Sequence, residues 1–227
     1  RATGVPYDER SGRIINEFIL YPRSYERGNA EFNSEGNCSI KRLIFMRIIS
    51  GKNKGKQLIA PNKLPVRPTT DFAKEALFNI LNNYYYFEEL SVLDLFAGTG
   101  NISYEFASRG CPSVLSVDNH NGCVQFINKI ARELVYPITA LKADVYEYLK
   151  RTTQQFDVIF ADPPYDFLIE KFVTIADIVF NQNLLTENGM LIIEHSSKTD
   201  LSEQPFFSQA KKYGGSVFSF FEKEEQD

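Results

Sequence analysis

Apolar runs alternate with segments of helical period along most of this chain. The run at 156–160 has no polar alternation, which predicts a strand buried on both faces of a parallel sheet. Residues 72–81 instead place apolar side chains three and four positions apart, which predicts a helix. Further strands are predicted at 91–97, 114–118, 137–141 and 189–195, further helices at 101–107 and 167–180, and a closing antiparallel hairpin at 211–220. This alternation indicates an α/β sheet with helices on both faces.

The chain before residue 69 departs from that pattern. Residues 1–45 are mixed in charge and show no period, so no function is predicted for them. Residues 46–50 and 56–60 are predicted strands of a hairpin, because glycine and asparagine in their connection supply the positive φ that hairpin loops require. The expected division is an extension at 1–45, a basic β-hairpin appendage at 46–68 and a main domain at 69–227.

The run at 156–160 leads to Asp162, Pro163, Pro164 and Tyr165. Two prolines cannot continue a central strand, so the chain must leave the sheet at Asp162. A carboxylate, a proline carbonyl and an aromatic ring are then presented together at the carboxyl end of a strand, where open α/β sheets bind ligands. A flat base could stack on Tyr165 while its exocyclic amine donates to Asp162 and to the Pro163 carbonyl. The alternative is a strand that simply ends in a Pro-Pro turn with a surface tyrosine.

A second candidate site is the glycine turn that follows Asp94. Gly98 and Gly100 let the backbone approach a ligand closely, although two glycines alone are weak evidence, since Ser103 replaces the third glycine of a dinucleotide fingerprint. Asp94 would repel a pyrophosphate and attract a cationic amine, which favours S-adenosylmethionine over NAD.

Two further acids follow predicted strands. Asp118 lies 24 positions after Asp94, at the distance where a carboxylate receives ribose hydroxyls. Its alternative role is to cap the helix that follows. Asp144 could accept an adenine amino group, with the Val145 N–H facing the ring, or it could be a helix N-cap.

Composition limits the class of protein. The chain has 227 residues, 43% hydrophobic and 24% charged, which is typical of a globular protein of one domain plus an appendage. No apolar stretch approaches the roughly 18 residues needed to cross a bilayer, and the cytoplasm is the expected compartment. The three cysteines and two histidines have no metal-ligand spacing, so no zinc site is expected and the cysteines are predicted to be reduced.

Charge is unevenly distributed along the chain. The net charge is −4, yet residues 36–70 contain basic residues and no acid. A local basic face can bind phosphates even on an acidic protein. The alternative is a lysine-rich hairpin that is merely solvated.

Taken together, these motifs resemble a known family. Residues 92–100 with 162–165 are similar to S-adenosylmethionine-dependent amino-methyltransferases. Arg67-Pro68-Thr69-Thr70-Asp71, residues 75–79 and residues 46–51 narrow the likeness to the RsmD family, which methylates the N2 amine of a guanine in bacterial 16S ribosomal RNA. The resemblance covers 46–222. The chain departs from the family in three places. Residues 1–45 have no counterpart in the family, and the hairpin has lysines where the family often has arginines. Asp118 occupies a position where the family more often has Glu.

The resemblance implies a Rossmann-like class I methyltransferase sheet with an RNA-contacting hairpin, S-adenosylmethionine as cofactor, and three groups of site residues. The implied catalytic residues are Asp162, Pro163, Pro164 and Tyr165. The implied cofactor-binding residues are Asp94, Phe96, Gly98, Gly100, Asp118, Asn119, Asp144 and Val145. The implied RNA-binding residues are Arg47, Lys52, Lys54, Lys56, Arg67, Thr69 and Thr70.

The implied partner is 16S rRNA in a partly or fully assembled small ribosomal subunit, bound by a monomer. Other readings remain open: methylation of adenine N6 in DNA or of a protein glutamine amide, a non-catalytic ribosome-assembly factor, and, least favoured, an NAD-dependent oxidoreductase.

Overall fold

A computed structural model describes residues 45–61, 64 and 69–223, together with the backbone of 7–8, 13–14, 28–32, 38–42 and 44. Three antiparallel strand pairs precede the main sheet. They are β1 (Tyr7–Asp8) with β2 (Arg13–Ile14), β3 (Gly28–Phe32) with β4 (Cys38–Arg42), and β5 (Ile44–Arg47) with β6 (Gln57–Ala60).

Seven further strands and five helices make up the main domain. The strands are β7 (Ser91–Leu95), β8 (Ser113–Asp118), β9 (Ile138–Lys142), β10 (Phe156–Ala161), β11 (Leu185–Ser196), β12 (Phe207–Tyr213) and β13 (Ser216–Glu222). The helices are α1 (Asp71–Leu81), α2 (Asn101–Ser108), α3 (Asn121–Leu134), α4 (Val145–Arg151) and α5 (Ile169–Asn181), with a short 3-10 helix at Phe87–Glu89.

The seven strands form one sheet in the order β12-β13-β11-β10-β7-β8-β9. The five strands from β11 to β9 run parallel, whereas β13 pairs antiparallel with both β11 and β12. The predicted mostly parallel α/β sheet with an antiparallel C-terminal hairpin is confirmed. Parallel neighbours require helices to carry the chain back across the sheet, so the ligand-binding carboxyl ends of β7, β8, β9, β10 and β11 meet at one edge.

Alternate residues of the central strands face two apolar layers. Val158 and Phe160 of β10 pack with α1, α2 and α3, while Ile159 and Ala161 pack with α4 and α5. All four side chains are buried, which explains why the sequence of this strand shows no polar alternation.

The hairpin formed by β5 and β6 shares the first of these layers. Met46, Ile48, Leu58 and Ala60 are buried in the same apolar cluster as α1, α2 and α3. The boundary predicted after residue 68 therefore does not mark a break in packing, and the hairpin is part of the core on its inner face. Within the described part of the chain, none of the helices has the length and apolarity to span a membrane.

Candidate active site

The two candidate loops leave adjacent strands at the same edge of the sheet. Leu95, the last residue of β7, lies opposite Ala161, the last residue of β10. The Asp162 N–H then donates to the Leu95 carbonyl at 3.3 Å. The turn at 96–100 and the loop at 162–165 thus begin side by side, as the interpretation of a shared site requires.

The glycine turn is tightly wound. Phe96, Gly98 and Gly100 all have positive φ, at 58°, 53° and 80°. A Cβ added at Gly100 would lie 2.9 Å from both the Ile127 and Tyr104 side chains, so only glycine fits. The Phe96 ring packs edge-on against nearby aromatic rings of α4 and of the loop before α5.

Asp94 is buried beneath this turn. Its carboxylate accepts hydrogen bonds from the Ser103 N–H at 3.1 Å and from the Ser103 hydroxyl, which also lies 2.7 Å from the Ser116 hydroxyl. Burial raises the pKa of Asp94 to about 7, against the opposing effect of the Ser103 hydrogen bonds. These contacts tie β7 to the first turn of α2. A contact between Asp94 and a cationic ligand stays a prediction.

Ser103 is a site residue that the sequence analysis treated only as a missing glycine. Its hydroxyl and amide supply the hydrogen bonds that make a buried carboxylate tolerable at this position. A hydroxyl residue in that fingerprint position, nine residues after an acid near the end of a strand, is a signal that sequence reasoning could have used.

Asp118 joins the glycine turn to the start of α3. One carboxylate oxygen accepts from the Gly98 N–H at 2.8 Å and the other from the His120 N–H at 2.7 Å. A carboxylate offers about four lone-pair sites, so Asp118 keeps capacity for two ribose hydroxyls. The N-cap of α3 is His120, whose ring accepts from the Cys123 N–H, so the alternative of Asp118 as the cap is wrong. Asn119 beside it is exposed.

Asp144 is the N-cap of α4, because its side chain accepts from the Glu147 N–H at 3.0 Å. This confirms the capping alternative. The side chain is exposed and its cap uses one oxygen, so a contact with adenine stays a prediction, as does the approach of the buried Val145 to the ring.

The loop at 162–165 combines a half-buried acid with an anchored tyrosine. Asp162 is half-buried, Pro163 is buried and Pro164 is exposed. The Tyr165 hydroxyl donates to Glu194 at 2.8 Å and lies 2.9 Å from the Ser216 hydroxyl. Burial raises the pKa of Tyr165 above its usual range, so the phenol stays protonated. The hydrogen bond of its hydroxyl therefore restrains the orientation of the Tyr165 ring.

Glu194 is a buried acid on β11 that the sequence analysis did not single out. Besides Tyr165, it accepts hydrogen bonds from the Ser216 hydroxyl at 2.7 Å and from the Thr69 hydroxyl at 3.1 Å. The available signal was an acid that directly follows the apolar run at 190–193. Only 7% of Thr69 is exposed, and its hydroxyl donates inward to Glu194. A contact between Thr69 and RNA stays a prediction.

The other predicted RNA-binding residues lie on two surfaces. Arg47 is exposed and its Nε donates to Asp71 at 3.0 Å. Thr70 is the N-cap of α1 and accepts from the Ala73 N–H at 3.1 Å. Lys52, Lys54 and Lys56 are exposed in the hairpin connection, whereas Arg67 lies outside the described residues.

The connection of the hairpin, which the sequence analysis placed in an appendage, is anchored to the end of α2. The Lys52 N–H donates to the Ser108 carbonyl at 2.6 Å and the Asn53 N–H to the Ser108 hydroxyl at 3.1 Å. A Cβ at Gly51 would lie 1.9 Å from the Ser108 carbonyl oxygen, so this close approach requires glycine. The eight residues of α2 span about 12 Å, which separates these lysines from the glycine turn.

A buried ion cluster holds the hairpin in this place. Glu105 of α2 accepts from the Ile49 and Ser50 N–H groups at 2.8 and 3.0 Å, and pairs with Arg109 at 2.9 Å and Lys74 at 3.7 Å. Lys74 also donates to the Arg47 carbonyl at 2.7 Å. Burial lowers the pKa of Lys74, while Glu105 acts in the opposite direction. The sequence did not predict this cluster, because charged residues of a helix are ordinarily expected to face the solvent.

One buried polar atom at the glycine turn is suited to a bound cofactor. The Tyr104 hydroxyl lies directly below Gly100 and is buried, with no hydrogen-bond partner in the described part of the chain. Such an orphaned donor beside an open glycine turn suits a polar ligand. Across the residues that the structure describes, no group of His, Cys, Asp and Glu side chains could hold a metal ion.

Comparisons with known proteins agree with this arrangement. The family model described as "Conserved hypothetical protein 95" matches residues 46–222. "Putative rRNA methyltransferase YlbH" of Bacillus subtilis is 34% identical over 165 residues, 70% of this chain and 86% of that protein. "Ribosomal RNA small subunit methyltransferase D" of a Buchnera aphidicola strain from Baizongia pistaciae is 31% identical over 157 residues, 69% of this chain and 79% of that protein.

A solved structure has the same fold. The Thermus thermophilus 16S rRNA N2 G1207 methyltransferase RsmC, in complex with AdoMet and guanosine, superposes with a TM-score of 0.62 at 23% identity, over 81% of this chain and 50% of that one. The sheet described above therefore has the fold of that methyltransferase. The chain belongs to the Conserved hypothetical protein 95 family, the family of the ribosomal RNA small subunit methyltransferases D (RsmD).

Proposed function

We propose that this protein transfers a methyl group from S-adenosylmethionine to the exocyclic N2 amine of a guanine in 16S ribosomal RNA. The observation that carries the proposal is the pairing of two loops at one sheet edge. The glycine turn after Leu95 and the Asp162 loop are joined by the hydrogen bond from Asp162 to the Leu95 carbonyl. A cofactor over the first loop and an amine in the second would then be neighbours. The names of the relatives support the substrate class, since both relatives are named as methyltransferases of ribosomal RNA.

The cofactor, when bound, supplies an electrophilic methyl group on a sulfonium, so the protein has to align and stabilise rather than activate. We assign the ribose hydroxyls to Asp118 and the adenine to Asp144 and Val145. Phe96, Gly98 and Gly100 would form the floor of the methionine half, and Asn119 would lie at the ribose rim. The two N–H groups already bound to Asp118 hold its carboxylate in position before the ligand arrives.

The amine is the group on which Asp162 acts. Its carboxylate and the Pro163 carbonyl would accept the two N–H groups of the guanine amine, which draws the nitrogen lone pair out of conjugation with the ring. These hydrogen bonds strengthen as the nitrogen becomes tetrahedral and positively charged, so they stabilise the transition state more than the bound substrate. Asp162 acts first as acceptor and then takes the released proton.

Tyr165 would stack on the extruded guanine. Unstacking a base costs a few kcal/mol, and stacking on an aromatic ring returns about 1–3 kcal/mol. The hydrogen bond from the Tyr165 hydroxyl to Glu194, with the Ser216 hydroxyl 2.9 Å away, holds the tip of that ring in place, so little side-chain entropy is lost when the base binds. Guanine rather than adenine is favoured because the Thermus protein with the same fold is an N2 guanine methyltransferase bound to guanosine.

The natural substrate on this proposal is RNA within a partly or fully assembled small subunit, bound by a protein monomer in the cytoplasm. The test is mass mapping of methylated nucleotides in RNA from cells with and without the protein, together with transfer of labelled methyl groups to naked 16S rRNA and to assembled subunits. We expect one N2-methylguanine to disappear with the protein. An unchanged set of 16S methylguanines, or a label found on adenine or glutamine, would contradict the proposal.

A further inference from the structure

Phe72 and Tyr213 form an aromatic pair beside the candidate active site. Phe72, the second residue of α1, is 67% exposed. Its ring meets that of Tyr213, the last residue of β12, edge-to-face at a centroid distance of 6.0 Å. Nothing in helix formation requires an exposed phenyl ring at this position, where a polar residue would serve.

The pair continues a line of rings that begins in the core. Phe160 of β10 lies 6.3 Å from Phe218 of β13, and Phe218 lies 6.1 Å from Tyr213. Phe160 and Phe218 are fully buried, Tyr213 is half-buried and Phe72 is exposed. The outer ring therefore continues a series of ring contacts that begins in the core.

Both halves of the pair are connected to Glu194, the carboxylate that holds Tyr165. On one side, Thr69, three residues before Phe72, donates to Glu194 at 3.1 Å. On the other, Tyr213 pairs across the hairpin with Ser216, which donates to Glu194 at 2.7 Å. The pair thus lies at the same edge of the sheet as the loop that would receive the target base.

The surroundings suit a nucleic acid. Lys211 precedes Tyr213 by two residues and therefore points to the same face of β12, and Arg47 pairs with Asp71 next to Phe72. A Cβ added at Gly214 or Gly215 would meet no atom of the described chain within 4 Å, so the turn beside Tyr213 leaves room for a ligand.

We propose that Phe72 and Tyr213 form a stacking platform for an unpaired nucleotide that flanks the target guanine. This inference rests on the proposed function for its choice of ligand. Single-stranded RNA is bound by aromatic faces for its bases together with nearby cations for its backbone. A flanking base held on Phe72 would keep the strand open while the target base is on Tyr165, and so would favour guanines in loops over guanines in duplexes.

The test compares Phe72→Leu, which keeps an apolar side chain without a ring, with Phe72→Tyr, which keeps the ring. Tyr86→Leu is the matched control, because Tyr86 is a 78% exposed aromatic residue just before β7, at the opposite edge of the sheet. The full-length variants are titrated with a 16S rRNA transcript and, separately, with small subunits that lack the modification. Affinity for S-adenosylmethionine and thermal stability are measured alongside.

We expect Phe72→Leu to weaken RNA binding by about 5- to 100-fold, with cofactor affinity and melting temperature unchanged. Phe72→Tyr and Tyr86→Leu should bind RNA as the wild type does. Wild-type affinity in Phe72→Leu, or an equal loss in Tyr86→Leu, would overturn the platform. A loss confined to assembled subunits would also overturn it, since the partner of Phe72 would then be a ribosomal protein.

The same experiment separates this inference from the proposed function. If wild-type protein transfers no methyl group to either substrate while Phe72→Leu still weakens RNA binding, the platform stands and the reaction assignment fails. If methyl transfer occurs and Phe72→Leu binds normally, the reaction stands and the platform fails.

Discussion

Asp157 lies at the amino end of β10 and Asp162 directly follows its last residue, and the two acids have different surroundings. Asp157, at the amino edge of the sheet, accepts hydrogen bonds from the Ser91 N–H and hydroxyl, both at 2.7 Å, and from the Thr186 hydroxyl at 2.8 Å. Those partners belong to the neighbouring strands β7 and β11. Asp162, at the carboxyl edge, follows the last paired residue and lies on a loop beside the glycine turn. Asp157 therefore joins the neighbouring strands, whereas Asp162, beyond the last paired residue of β10, is placed where a ligand could bind.

The amino and carboxyl edges of the sheet also differ in what their carboxylates bind. A groove of about 420 Å³ lies at the amino edge, lined by Tyr84, Tyr85, Tyr86 and their neighbours. Its acid, Asp157, is already bound by three strand groups. At the carboxyl edge the carboxylates of Asp118 and Glu194 instead hold a turn and a tyrosine in position. The volume of this groove therefore does not by itself make it the candidate site, because its acid is held by the strands on either side.

The largest expected effect comes from removing the acid at the carboxyl edge. Asp162→Ala should lower kcat by about 100- to 1000-fold, because the amine loses the acceptor that polarises it, while affinity for S-adenosylmethionine stays the same. Methyl transfer under single-turnover conditions measures the first quantity and calorimetry the second.

Asp157→Ala is the matched control for the other edge. It leaves Ser91 and Thr186 without their acceptor, so it should lower the melting temperature with little change in kcat of the folded protein. Near-normal turnover of Asp162→Ala, or an equal loss of kcat in Asp157→Ala, would remove the distinction between the two edges.

Asp94 makes stability at the carboxyl edge depend on pH. Its folded-state pKa of about 7 lies above the value of about 3.8 for the unfolded chain, because burial disfavours the charged form. The folded state therefore binds the proton more tightly, and this stabilisation is present below pH 4 and is lost as pH rises to about 7. Relative to Asp94→Asn, which cannot ionise, the wild type should lose on the order of 2–4 kcal/mol between pH 4 and pH 8.

Urea unfolding of both proteins across this pH range, without cofactor, measures that difference. Because all other titrating groups are shared, the comparison isolates Asp94. Parallel stability curves for the two proteins would show that Asp94 is ionised throughout and that Ser103 outweighs the effect of burial.

A smaller effect is expected from the carboxylate behind Tyr165. Glu194→Ala should lower kcat about 10-fold, because the tyrosine ring loses the acceptor that fixes its orientation, with cofactor affinity unchanged. Glu194→Gln keeps an acceptor for the phenol and should restore most of the activity. A structural role alone would instead lower the stability of both variants equally and leave kcat of the folded protein unchanged, which thermal melts and initial rates distinguish.

The sequence predicted the parts of this molecule that depend on local pattern. The strand run into Asp162 and the glycine turn after Asp94 lie within a few residues of the signals that identify them. The hydrogen bonds around Glu194 could not be predicted, since they join residues 69, 165 and 216 across three separate elements. The docking of the hairpin likewise depends on Glu105, a helical acid whose burial appears only once the hairpin packs against α2.

The smallest effect, and the one that extends the comparison to the hairpin, concerns the three lysines of its connection. Lys52, Lys54 and Lys56 lie about one helix length from the glycine turn, so RNA would reach them only along its backbone. Changing all three to Ala should weaken RNA binding about 5- to 10-fold at physiological salt and lower the salt slope by about 2, with kcat at saturating RNA unchanged. The loop should stay in place because its anchors are the Lys52 and Asn53 backbone N–H groups.

A second triple variant, Lys129, Lys150 and Lys223 to Ala, removes the same charge elsewhere and should keep the wild-type slope. Equal slopes in both triple variants would mean that net charge, not the hairpin, sets the attraction, and an unchanged slope in the first would leave the connection a purely structural part of the core.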